Sequence, residues 1–181
     1  MRATLVLASV TVSSLVACAP PPAPASPVSR SATATVATSD AGARALVELS
    51  ARLEGAWVAK LPGGKEVHES FRVLSSNSAL VESYRSGQSE TMSVYHADGA
   101  SVVLTHYCAQ GNQPRLRLGP VTDGTLVFRF IDVTNLQPGK SHLVEKRLRF
   151  LPDGLDQTEI YQDPEGTTDT TVLHFKRESA S

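Results

Sequence analysis

From Gly55 to the C-terminus the chain alternates. Short stretches rich in β-branched and aromatic residues, with polar residues at every second position, are interrupted at close intervals by turn signals. These are Pro62-Gly63-Gly64, Ser76-Asn77, Gly87, Asp98-Gly99, Asn112-Gln113-Pro114, Asp123-Gly124, Pro138-Gly139, Asp153-Gly154 and Asp163-Pro164-Glu165-Gly166. The pattern predicts strands at 55–61, 65–74, 78–86, 89–96, 101–108, 114–119, 124–132, 142–151, 155–162 and 170–177. Sequential short strands joined by tight turns point to an all-β, antiparallel up-and-down sheet. Closing it into a barrel would remove its exposed edges. A two-sheet sandwich is the architecture that turn spacing leaves open. Ahead of the strands the period changes. Leu46, Leu49 and Leu53 fall at helical spacing and Glu48 stands four residues before Arg52, which predicts one amphipathic helix from about Ala41 to Leu53, capped by Ser39-Asp40.

The clearest hairpin signal fixes faces as well as strands. A two-residue Asp98-Gly99 turn would pair Tyr95 with Val102, Ser93 with Leu104 and Thr91 with His106. Paired residues share a face, so Tyr95, Val102, Leu104, His106 and Cys108 are expected on one side. Met92, Val94, His96, Val103, Thr105 and Tyr107 are expected on the other, and His96 and His106 should not meet.

At the N-terminus Arg2 precedes an apolar run from Leu5 to Leu15, too short for an ordinary membrane-spanning helix. The run ends in Leu15-Val16-Ala17-Cys18, which resembles the lipobox of bacterial lipoproteins. The resemblance implies removal of residues 1–17 and diacylation of Cys18 on sulfur, which would tether the protein to a membrane. Ala19 stands where an aspartate resembles an inner-membrane retention signal, so the expected location is the cell envelope, periplasm-facing, at the outer membrane of a two-membrane host. Residues 18–39 are rich in Pro, Ala, Ser and Thr and offer little apolar surface to offset chain entropy; they read as a disordered tether. Residues 40–178, roughly 140, suit one domain with a single core.

Composition narrows the function classes. The net charge is −1 with both signs mixed along the chain, so there is no basic stripe for nucleic acid. With Cys18 taken by lipid, Cys108 is left alone, and the fold is not a disulfide scaffold. Ser-His-Asp order, a phosphate-binding glycine loop, a His-x-x-x-His helix and a paired-cysteine zinc motif are all missing from the sequence.

Leu53-Glu54-Gly55-Ala56-Trp57 opens the first strand directly after the helix. This Gly-x-Trp resembles the entry signature of lipocalins and related calycin barrels, including the nitrobindin-like ten-stranded barrels. The resemblance implies a lipocalin-like barrel in which Gly55 and Trp57 belong to the closed end, with Lys176 or Arg177 covering the indole. Met92 to Gly99, with Leu104-Thr105-His106-Tyr107-Cys108 and Asn112-Gln113-Pro114-Arg115, is similar to an uncharacterised bacterial family of lipocalin-like domains with no assigned activity. Val58-Ala59-Lys60 departs from the glycine-rich continuation of nitrobindin-like proteins. Their late-strand haem ligand would correspond roughly to His174.

Candidate chemistry gathers on inward-reading positions. His106 and Cys108 share a face, so imidazole and thiolate could hold zinc or copper if His142 or Glu82 supplied a third ligand; alternatively both are packed within the barrel. Arg115 and Arg117 could grip an anion at the barrel mouth or lie on a solvated outer face. Arg147 and Arg149 repeat that pattern, with a solvated face expected. Glu69 lies on an apolar face with Val67, Phe71 and Val73, so it must be paired, with Arg85, Arg117 or Arg129 as candidates, or aimed into a cavity. Glu82 and Tyr84 share a face with Leu80. The expected lining of a small-molecule site is therefore Glu69, Glu82, Tyr84, Tyr95, His106 and Cys108, with Arg115 and Arg117 near its opening, and the expected ligand is small and amphipathic. A large internal cavity would favour such a carrier and a filled core an envelope scaffold. A solvent-reachable His106 beside an acid would favour an enzyme.

Overall fold

The computed structural model describes residues 36–179. Cys18, the expected signal segment and most of the expected tether lie outside them. One helix, α1 (Val36–Leu53), precedes ten strands: β1 (Gly55–Lys60), β2 (Glu66–Leu74), β3 (Ala79–Ser86), β4 (Ser89–Asp98) and β5 (Ser101–Tyr107), then β6 (Gln113–Leu118), β7 (Thr125–Thr134), β8 (His142–Leu151), β9 (Gly154–Gln162) and β10 (Thr168–Arg177). Every strand lies within two residues of its predicted span. Each pairs antiparallel with its sequence neighbours, and β1 also pairs with β10, which closes the barrel and excludes the sandwich. The helix starts at Val36, earlier than its sequence pattern suggests, so positions 39 and 40 fall within its span.

The β4–β5 hairpin shows how alternation survives an error in register. Its two-residue turn is Gly99-Ala100, not Asp98-Gly99, and Gly99 takes the positive φ of 59° that the first position of a type II′ turn requires. Tyr95 therefore pairs with Leu104 and Ser93 with His106. The expected register is displaced by two residues, and a displacement of two leaves every side chain on its expected face. Tyr95, Val102, Leu104 and His106 are buried inside, while His96 is exposed.

Helix α1 closes one end of the barrel. Leu46, Leu49 and Leu53 face a core that includes Trp57, Phe71, Leu80, Leu104, Leu116, Phe128, Leu148, Leu155 and Phe175. The helix approaches the β4–β5 turn so closely that a Cβ on Gly42 would stand 2.5 Å from the Ser101 carbonyl oxygen, which is why this position is glycine. Trp57 Nε1 donates to the Leu53 carbonyl at 2.8 Å, tying β1 to the helix C-terminus. Of the two basic candidates it is Arg177 whose guanidinium lies over the Trp57 ring, at 4.3 Å. Arg177 also donates to the carbonyls of Arg52 and Glu54, both at 2.7 Å, and so satisfies acceptors that a helix end leaves unpaired. Gly55 has φ of 119° and lies beside that guanidinium, a conformation and a space open to glycine.

One irregularity decides what enters the interior. Between β8 and β9 the register shifts at Val144, so Leu143 opposes Tyr161 while Lys146 opposes Glu159. The extra residue changes the parity of the strand. Leu143 and Lys146, three apart, are thereby both buried inside the barrel.

Candidate functional site

The half of the barrel away from α1 has a polar interior. At its centre Lys146, wholly buried, donates to both oxygens of Glu82 at 2.6 and 2.8 Å. Tyr95 Oη donates to Glu82 Oε2 at 2.5 Å, and its ring packs edge-on against Phe128 with centroids 5.5 Å apart. Lys146 also lies 3.3 Å from Glu159. Burial opposes the charge on Glu82, but the Lys146 ammonium and the Tyr95 hydroxyl outweigh it and hold the carboxyl below its usual range. Burial likewise opposes the charge on Lys146; the field of Glu82, with Glu159 behind it, keeps the amine protonated. Tyr95 stays a neutral donor because burial, then Glu82, push its phenol up.

His106 extends this network. Its Nδ1 meets Ser93 Oγ at 3.1 Å and its Nε2 meets Tyr161 Oη at 3.2 Å. Burial pushes the imidazole below its ordinary value, which favours the neutral ring. His106 is 3% exposed and Ser93 is fully buried, so both lie beneath the wall of the barrel interior.

Glu69 occupies the neighbouring position on β2. Gln157 Nε2 donates to its Oε1 at 2.6 Å, and no protein group meets Glu69 Oε2 or Gln157 Oε1. Burial and then repulsion from Glu82 raise this carboxyl well above the ordinary range, against the pull of Lys146. The expected arginine partners lie elsewhere. Arg85 is exposed, Arg117 pairs with Asp98 at 2.6 Å, and Arg129 reaches Glu145 at 3.7 Å. A buried arginine would have needed inward parity, and each of these three positions faces out.

Above the network lies a recess of about 180 Å³ between Tyr84, Thr91, Gln157, Glu159, Tyr161, Thr171 and Leu173. Burial pushes the phenols of Tyr84 and Tyr161 upward, so both offer hydroxyl donors. Tyr161 and Thr171 also line a groove of about 430 Å³ that runs outward past Asp163 and Asp169. A larger depression of about 550 Å³ lies outside the closed end, against Arg52, Trp57, Phe150 and Arg177. Two of the cationic groups that line it are engaged, Arg52 over the Phe150 ring at 3.6 Å and Arg177 on helix carbonyls; Lys176 lines it as well, and none of the inward polar residues does.

The structure thus brings Glu69, Glu82, Tyr95 and His106 into one interior network, with Tyr84 in the wall of the recess. Cys108 lies just beyond β5, where its sulfur accepts from the Gln110 amide at 3.5 Å. Arg115 and Arg117 stand on the outer face. Arg115 forms a two-toothed pair with Asp132, and neither arginine approaches the recess. Among the described residues no three His, Cys, Asp or Glu side chains converge as metal ligands: Glu82 is held by Lys146, and His142 stacks on Phe130 at 5.0 Å. His174 lies on the outer face of the barrel, with its ring bonded to Asp156 at 2.9 Å.

Sequence reading overlooked Lys146, Gln157, Glu159 and Tyr161. The signal was present: Lys146 alternates with Leu148 and Phe150, and Gln157, Glu159 and Tyr161 continue the parity of buried Leu155. Polar residues at core parity mark an interior network as surely as apolar ones mark a core. Neither a protein-family model nor a curated protein matches this chain, so geometry carries the functional reading.

Proposed function

We propose that this is a lipid-anchored envelope protein, held to the membrane through Cys18, whose barrel binds a small polar molecule in the recess at its open end. The observation that carries this reading is Gln157. Its side chain is 2% exposed, it lines the recess, and its Oε1 has no protein donor. An unpaired buried carbonyl costs about 1–3 kcal/mol, and a ligand donor would recover that cost. Size narrows the ligand. Drug-sized molecules need pockets of about 300 Å³ or more, whereas a cavity near 150 Å³ holds a guest about the size of benzene. The recess belongs to the second class, so the amphipathic ligand expected from sequence gives way to a compact one without a long acyl chain.

Native mass spectrometry of the full chain, extracted gently from its own host, tests the reading. A reproducible adduct that denaturation releases is expected. It should disappear in Thr171→Trp, which fills the recess, provided the variant keeps its melting temperature. A protein that carries no adduct and takes none from a panel of compact polar molecules would overturn the binding reading and leave the filled barrel as an envelope scaffold.

A further inference from the structure

Charge at the recess is one-sided. Glu82 and Glu159 share a single ammonium, Lys146, and Lys146 spends both of its short contacts on Glu82. Glu159 lines the recess, while Lys146 lies wholly buried beneath it. No lysine or arginine lines either the recess or the adjoining groove that shares Tyr161 and Thr171 with it, and that groove carries Asp163 and Asp169. Arg85, next to Tyr84 on β3, faces outward, and on neighbouring β8 Arg149 and Arg147 also face outward, paired with Asp156 at 2.6 Å and Glu145 at 2.5 Å. The walls are otherwise phenol, hydroxyl and Leu173, surfaces suited to an organic guest.

From this we infer that the recess selects a compact organic cation, a substituted ammonium of about benzene size, with Glu159 as its counter-charge and Gln157 Oε1 as an acceptor. The inference rests on the binding reading above and adds its chemical class. Three features act together. The acidic groove raises the local concentration of cations beside the recess. Tyr84 and Tyr161 offer aromatic surface that favours an ammonium over a neutral group. A carboxylate already partly withdrawn from water gains more from an incoming cation than one at the surface does. A bare metal ion is a poorer fit, because three ligating side chains do not converge anywhere among the described residues.

Three probes of one shape separate charge from size: choline, its neutral isostere 3,3-dimethylbutan-1-ol, and the anion 3,3-dimethylbutanoate. Titrated into the full chain in detergent and followed by calorimetry, choline is expected to bind at least about tenfold more tightly than the neutral probe, with no detectable binding of the anion. Glu159→Gln should weaken choline about tenfold and leave the neutral probe unchanged. That variant keeps the Glu82–Lys146 pair, and an unchanged melting temperature would show that it folds. Equal binding of choline and the neutral probe overturns the cation inference while the small-molecule reading stands. Preference for the anion overturns it as well. If none of the three binds, the cation inference falls, and the native adduct decides separately whether the recess binds anything.

Discussion

The two halves of the barrel interior are filled by opposite means. Toward α1 the inward positions carry Trp57, Phe71, Leu80, Leu104, Leu116, Phe128, Leu148, Leu155 and Phe175, and apart from the Trp57 indole hydrogen bond packing holds them. Toward the open end six of the ten strands turn inward Glu69, Glu82, Ser93, His106, Lys146, Gln157 and Glu159, held by specific pairs. An apolar half can tolerate exchange of one apolar side chain for another of similar volume. A buried ionic half cannot, because each charge there is stable only beside its partner. Replacing such a network with apolar residues is often neutral or stabilising, so its presence is weak evidence for stability and stronger evidence for a use.

The sharpest way to break the comparison is Lys146→Met. The substitution keeps the length of the side chain but leaves Glu82 buried without its counter-charge, and should cost about 3–5 kcal/mol in a denaturant titration. Adding Glu82→Gln should restore much of it. A Lys146→Met protein as stable as the wild type would mean that the pair is not the hinge of the polar half. The apolar half should fail by overpacking. Gly42→Ala would drive a methyl to within 2.5 Å of the Ser101 oxygen and 2.6 Å of the Gly99 oxygen, both backbone, so the helix must lift at a cost of roughly 1–3 kcal/mol. Faster hydrogen exchange in α1, with the interior of the polar half unchanged, would confine the damage to the closed end. The smallest effect is a pH dependence. Glu69 has a folded pKa above its unfolded one, so it adds stability below about pH 4.3 that is lost as the pH rises toward the folded value. Glu69→Gln removes this loss. The melting temperature of the variant relative to wild type should therefore climb between pH 4 and neutrality, and a flat difference would place Glu69 outside the ionic balance of the barrel.

Much of this was legible in the chain because a strand has a period of two. Turn signals such as Asp98-Gly99 and Asp153-Gly154 divided the sequence, and alternation placed Glu69, Glu82, Tyr95 and His106 on inward faces. Even the misplaced β4–β5 turn did no harm, since a shift of two residues preserves the face. Partners were less legible. Glu69 was matched with arginines because arginine is the usual companion of a buried carboxylate, but Arg85, Arg117 and Arg129 sit at outward parity. Its true neighbour, Gln157, is 88 residues away and carries no charge to draw attention.

The sequence by itself determined the ten strands, the helix that follows a 3.6-residue period, and the face on which strand residues stand wherever the alternation is unbroken. These are local properties, set by side-chain alternation and turn chemistry within a few residues. Only the tertiary structure decided which inward residues meet. Glu82 finds Lys146 across 64 residues because barrel closure brings β3 and β8 to the same height. Lys146 points inward together with Leu143 because one extra residue at Val144 reverses the parity of its strand. Alternation gives a side chain its direction, whereas stagger, bulges and closure give it a neighbour. In this barrel the neighbours, and not the directions alone, make the site.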